Sequence, residues 1–139
     1  MPCIRYRILL LKMTYNELSY AVVGAAMKVH RELGPGLLEK AYQECLFYEI
    51  SQLGLQIEKE ITMPLTYQGV QLECGFRMDM LVEGRLVIET KAVSEINDIH
   101  LAQLLSYLKQ GNYRLGLLIN FNTILLKNGI RRVVNGLEE

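Results

Sequence analysis

Asp79, Glu89 and Lys91 are three ionisable residues set in a mostly apolar stretch, FRMDMLVEGRLVIETKAV, covering residues 76–93. An aspartate followed ten positions later by a Glu-x-Lys triplet can do chemistry only where the backbone brings the two carboxylates together. Two-residue alternation predicts strands over Val70–Val82 and Leu86–Lys91, with a turn at Glu83-Gly84 between them. Phe76, Met78, Met80 and Val82 then share one face, and Arg77, Asp79 and Leu81 the other. In the second strand Leu86 and Ile88 lie opposite Val87, Glu89 and Lys91. A two-residue turn would pair Val82 with Arg85 and mismatch the apolar faces. A three-residue turn, or one bulge, pairs Val82 with Leu86, which sets Asp79 opposite Glu89 and puts Lys91 on the same face.

Directly opposed cross-strand residues hold their Cβ atoms about 4.5–5.5 Å apart. Two carboxylates at 4 Å repel by roughly 4 kcal/mol at an effective dielectric near 20. Folding alone gives no reason to accept that cost. A divalent cation does, since hard Mg²⁺ takes one or two carboxylates and keeps its other positions for water and phosphate. Lys91 completes the set, because an ammonium can steer a water or offset charge on a phosphoryl group. The bland alternative is an exposed strand face on which Lys91 simply neutralises Glu89.

The elements that must carry these residues are legible on both sides. Thr14-Tyr-Asn-Glu17 is a capping box ahead of Leu18, Val22, Ala25, Ala26, Val29 and Leu33, and Gly34-Pro35-Gly36 ends that helix. A second helix is predicted with Leu38, Tyr42, Cys45, Leu46, Ile50 and Leu53 as its buried stripe and Gly54 as its stop. Ile57–Tyr67 is a strand pair or bent strand interrupted by Pro64. After Lys91, Asn97 or Asp98 caps a helix running to about Gln110, and Leu115–Asn120 is an apolar run of the kind buried inside a sheet. Ile124–Lys127 and Ile130–Val134 flank Asn128-Gly129 as a terminal hairpin. The expectation is an α/β (α+β) fold, a mixed β-sheet flanked by helices in the order α-α-β-β-β-α-β with a C-terminal hairpin. Residues 1–13 are expected to be a peripheral extension, with Met13 as an alternative start, and residues 14–139 a single domain.

Composition narrows the partners. With 139 residues, half of them apolar and 22% charged, the chain is in the globular range, and no apolar run is long enough for a membrane span. Fifteen basic and fifteen acidic side chains cancel, which argues against tight nonspecific nucleic-acid binding but leaves room for one local phosphate site. Cys3, Cys45 and Cys74 are odd in number and lack a CxxC pair, so a zinc site or disulfide framework is not expected and a reducing cytoplasm is. Cys45 and Cys74 read as small buried thiols.

With these residues in view, the chain resembles the PD-(D/E)XK nuclease superfamily through Asp79 and Glu89-Thr90-Lys91. Gly36-Leu-Leu-Glu39-Lys-Ala-Tyr42 resembles the motif of its GxxExxY family, and Gln103-Leu-Leu-Ser-Tyr107 looks like the QxxxY element of RecB-like nucleases. The three motifs occur in the expected order and together span roughly Leu18 to Val134; the superfamily's proline is replaced by Met78. The resemblance implies a restriction-endonuclease-like core and Mg²⁺- or Mn²⁺-dependent hydrolysis of phosphodiester bonds in DNA, or in RNA. It further implies that Asp79 and Glu89 hold the metal with the Thr90 carbonyl as a further ligand. Glu39 would reach the metal directly or through water, Lys91 would position or activate the attacking water, and Gln103 and Tyr107 would orient the site. A nuclease-fold module that binds nucleic acid or a protein without cutting is the alternative. A homodimer is left open, with the terminal hairpin as an available edge.

On residue type alone, Glu39 is also what a first helical turn favours, and Tyr42 fits a core position. In the last helix Leu101, Leu104, Leu105 and Leu108 make the buried face, while His100, Gln103 and Tyr107 gather on another. His30 borders the first helix's apolar stripe and reads as a satisfied structural histidine. Lys109, Arg114, Lys127, Arg131 and Arg132 could touch phosphates, although a solvated surface accounts for each singly.

Overall fold

The structure is a computed structural model in which residues 13–137 are described. Cys3 and the expected peripheral extension, apart from Met13, lie outside the described residues. Helix α1 (Tyr15–Leu33) begins at the predicted capping box: the Thr14 hydroxyl accepts the Glu17 N–H at 3.0 Å and the Glu17 carboxylate accepts the Thr14 N–H at 3.1 Å. It ends at Gly34, where φ is 65° and the N–H donates to the His30 carbonyl at 2.7 Å. Helix α2 (Glu39–Gln52) follows, then β1 (Ile57–Tyr67), β2 (Val70–Val82), β3 (Leu86–Lys91), α3 (Asp98–Gly111), β4 (Leu115–Asn120) and β5 (Ile130–Val134).

The five strands form one sheet in sequence order, β1-β2-β3-β4-β5, antiparallel at every step except the parallel β3–β4 pair. A parallel neighbour needs a crossover, and α3 supplies it. Helices α1 and α2 cover one face through Leu18, Val22, Ala26, Val29, Leu46 and Ile50, packed on Met80, Val82, Leu86, Ile88, Leu117 and Ile119. Leu104 and Leu108 of α3 cover the other, against Met78, Leu81, Val87 and Leu118. Strand β3 is therefore buried on both sides. Each fully buried aliphatic side chain contributes about 1.5–3 kcal/mol, so Leu86, Val87 and Ile88 anchor the strand whose far end carries Glu89 and Lys91.

The mixed α/β architecture is as expected, with local corrections. No terminal hairpin forms at Asn128-Gly129. Leu126–Gly129 is a short 3-10 turn with Leu126 in the core, and β5 pairs with β4 instead. The glycine serves close packing there, since a Cβ on it would lie 2.2 Å from the Asn120 carbonyl oxygen. The expected shared face of Phe76, Met78, Met80 and Val82 is broken. Met78 packs towards α3 with Phe76, while Met80 and Val82 pack towards α1 and α2. The β1–β2 ladder has no rung between Glu60 and Asp79, and Glu60 has φ 55°, so the alternation is interrupted at that level. In α2 the buried stripe is Tyr42, Leu46 and Ile50. Leu38 is 81% exposed, because the helix starts at Glu39 and leaves Leu38 as its cap; Leu53, at the other cap, and Leu33, the last residue of α1, are also exposed. Cys45 is half-buried and Cys74 exposed, the latter on the outer half of β2 that β3 does not reach. No helix among the described residues is long and apolar enough to cross a membrane.

Candidate active site

The β2–β3 connection is the three-residue turn that the apolar faces require. Glu83 and Gly84 both have positive φ (53° and 64°), and the Arg85 N–H donates to the Val82 carbonyl at 3.0 Å. The ladder runs Val82–Leu86, Leu81–Val87, Met80–Ile88 and stops there. At the next level side chains replace the backbone rung. A Glu89 carboxylate oxygen accepts the Asp79 N–H at 3.0 Å, and Oδ2 of Asp79 accepts both the Thr90 N–H at 2.9 Å and the Thr90 hydroxyl at 3.0 Å. Each carboxylate thus fastens the strand carrying the other, where β2 and β3 part.

Glu89 is 4% exposed. Burial, and after it the neighbouring Asp79 charge, push its carboxyl up to about 8, against the pull of the Asp79 N–H and the Lys91 ammonium. Glu39 at the start of α2 is raised too, first by desolvation and then by Asp79, while Lys91 and a hydrogen bond from the Ala92 backbone lower it. Tyr107 of α3 is raised by burial and by the charges of Glu89 and Asp79. Glu39, Asp79, Glu89, Lys91 and Tyr107 therefore share one electrostatic neighbourhood, although they come from α2, β2, β3 and α3. Lys91 makes no ion pair among the described residues. Its charge stays available to whatever enters.

The surroundings explain how Glu39 is held. Gly36 has φ 103°, a conformation that suits glycine. The buried Tyr42 clamps the loop before α2 by donating its hydroxyl to the Gly34 carbonyl at 2.6 Å and accepting the Leu37 N–H at 3.0 Å. Its ring stacks on Phe121, with centroids 4.7 Å apart. Lys40 pairs with Glu60 and with Glu44, which also meets Lys59 at 2.8 Å, tying the first turns of α2 to β1. In Gly36, Glu39 and Tyr42 the first residue shapes the loop, the third locks it, and the second is presented to the carboxylates.

Three supporting residues were not anticipated from the sequence. Gln43 is buried beside Tyr42 and directs its amide to the Asp79 carbonyl at 3.5 Å. Asn120 grips Val93, two residues beyond Lys91, accepting its N–H at 3.0 Å and donating to its carbonyl at 2.9 Å, and Asn122 adds a bond to the same carbonyl. A buried asparagine closing the apolar run LGLLIN was the available signal for that clamp.

The remaining expected residues are held by other partners or stay exposed. Gln103 is exposed one turn ahead of Tyr107 and makes no hydrogen bond among the described residues. Tyr107 itself stacks on Phe76 with centroids 4.5 Å apart. His100 caps its own helix, accepting the Asn97 N–H at 3.1 Å through Nδ1. His30 is satisfied by the Thr123 carbonyl at 2.8 Å. Arg114, Arg131 and Arg132 bond Asn135, Asn128 and Asn16, as surface residues do. Among the described residues no three acidic, histidine or cysteine groups converge into a ready-made metal cage.

Opposed carboxylates at a strand fork, a nearby lysine two residues after the second, and a glutamate from the preceding helix form an arrangement suited to attack on a phosphoryl centre. No curated protein and no solved structure matches the chain. A family model does, over residues 16–133, which takes in every element from α1 to β5. That match and the five-stranded mixed sheet with helices on both faces agree: the chain belongs to the PD-(D/E)XK nuclease superfamily.

Proposed function

We propose that this protein is a divalent-metal-dependent nuclease of the GxxExxY type that hydrolyses phosphodiester bonds in DNA. The observation that carries the proposal is the buried Glu89 carboxyl, pushed up to about 8 beside Asp79 at the end of the β2–β3 ladder. The residues fit a hard dication. All donors are oxygens, a bound dication would favour the charged form of the buried Glu89 carboxyl beside Asp79, and Mg²⁺ or Mn²⁺ needs few protein ligands because it keeps waters and phosphate oxygens. Asp79 and Glu89 would hold the ion, with the Thr90 carbonyl as a further ligand and Glu39 reaching it directly or through water.

A bound dication supplies Lewis-acid stabilisation of the phosphoryl charge and lowers the pKa of water. The chain's own residues do the remaining work. Lys91 orients the attacking water and offsets negative charge that grows on the phosphate in the transition state. The Thr90 N–H and hydroxyl hold Oδ2 of Asp79, leaving Oδ1 without a hydrogen bond among the described residues. Tyr107, braced by Phe76, donates its hydroxyl to a phosphate oxygen, and Gln103 contacts the backbone of the bound strand. Tyr42 keeps the loop before Glu39 from drifting.

The test is direct. Purified protein is incubated with linear, branched and single-stranded DNA, with and without Mg²⁺. Cleavage is expected with the metal only, and it is expected to fall at least about a hundredfold in Asp79→Ala and Lys91→Ala, the scale of losing one charge-stabilising group. No cleavage of any substrate, or undiminished cleavage by those variants, would refute the proposal.

A further inference from the structure

We infer that the outward stripe of α1 docks a second copy of this chain, with the two helices antiparallel across a two-fold axis at Gly24. Glu17, Tyr20, Gly24, Met27 and Arg31 recur at alternating three- and four-residue steps, the spacing of a helix–helix seam. All five are exposed, on the side of α1 away from its buried residues Leu18, Val22, Ala25 and Val29. Tyr20, a large ring on this outward face, is 83% exposed.

Two features select the occupant. Glycine destabilises a helix interior relative to alanine, yet Gly24 has no tertiary reason to be one: nothing lies within 4 Å of a Cβ built on it. The missing side chain opens a place where another helix backbone can come close. The charges at the ends of the stripe then fix the direction. An antiparallel pair centred on Gly24 sets position 17 of one protomer against position 31 of its partner, so Glu17 meets Arg31 twice. A parallel pair would set glutamate on glutamate and arginine on arginine. Arg31 has no partner among the described residues, and Glu17 uses only Oε1 in its cap.

The same geometry gives Tyr20 a destination. It falls opposite position 28 of the partner, beside a hollow of about 280 Å³ lined by Met27, His30, Arg31, Ile124, Leu125 and Leu126. Ile124 is 84% exposed and Leu125 54% exposed on its rim. An isologous interface fills both copies of that hollow at once.

Sedimentation equilibrium of the full chain over a micromolar concentration series tests the inference. Wild type is expected at twice the chain mass of 15.9 kDa. Gly24→Leu should keep its helical circular dichroism and melt no earlier, yet return to the single-chain mass. Glu17→Arg and Arg31→Glu should each be monomeric alone and associate when mixed, because the mixed pair restores opposite charges at both ends. A wild-type protein that stays at single-chain mass would overturn the inference. So would a dimer that Gly24→Leu leaves intact, or charge variants that do not associate on mixing.

Discussion

Glu89 is the residue at which folding and function pull in opposite directions. In the metal-free fold its carboxyl titrates near 8, while an unfolded glutamate titrates near 4.3. Between those values the folded state holds a proton that the unfolded state has released, so this group makes stability fall as pH rises, levelling off above about 8. Glu89→Gln removes that penalty. In chelator, urea denaturation is expected to find the variant equal to wild type near pH 4.5 and more stable by up to about 4 kcal/mol at pH 8. A variant less stable than wild type at pH 8 would mean that Glu89 is comfortable as a buried anion without a cation. Tyr42 makes the complementary point. Tyr42→Phe keeps the stack on Phe121 but leaves the Gly34 carbonyl and Leu37 N–H without their partner, which costs about 1–3 kcal/mol. Because Glu39 hangs from that loop, cleavage by the folded variant should also fall. Full activity at reduced stability would confine Tyr42 to the core.

At the scale of elements, the site depends on where β2 and β3 separate, and the long β1–β2 hairpin governs that. A Cβ on Gly75 would lie 1.6 Å from the Met63 carbonyl oxygen, next to the register shift between Met63 and Leu65. Gly75→Ala must therefore push the two strands apart, a change expected to cost about 2–4 kcal/mol in urea denaturation. An unchanged midpoint would show that the hairpin tolerates the displacement. The strand and helix bounds were legible because their periods are clear: a capping box opens α1, and matching apolar faces, not the shortest turn, chose the Val82–Leu86 register. Two features resisted. Asn128-Gly129 looks like a hairpin turn in any sequence, and only the approach of the Asn120 carbonyl shows why a glycine stands there. Met78 was assigned to the wrong face because alternation assumes an uninterrupted ladder, and a missing rung at Glu60 leaves no mark in residue types.

For the whole molecule, four elements spread between residues 39 and 111 converge on one charged cluster within a chain of zero net charge. The nearness of Asp79 and Glu89 was legible from the turn length and the apolar register, although the ladder stops one level short of them and side-chain hydrogen bonds take over there. Glu39 and Tyr107 were reached only through the motif resemblance, since which helix covers which face is decided by the crossover and not by local pattern. With no general basic excess, metal-free binding to DNA should be weak at physiological salt, and it should tighten when a dication offsets the acidic cluster. A gel shift that tightens equally with and without the metal would contradict that. The most direct measurement is calorimetric titration of Mn²⁺ into wild type and Asp79→Asn at pH 7, repeated in buffers of different ionisation enthalpy. Wild type should bind the ion and release a proton as Glu89 gives up the one it holds, and Asp79→Asn should show little or no binding. Equal heats in the two proteins, or binding without proton release, would contradict a metal held between these two carboxylates.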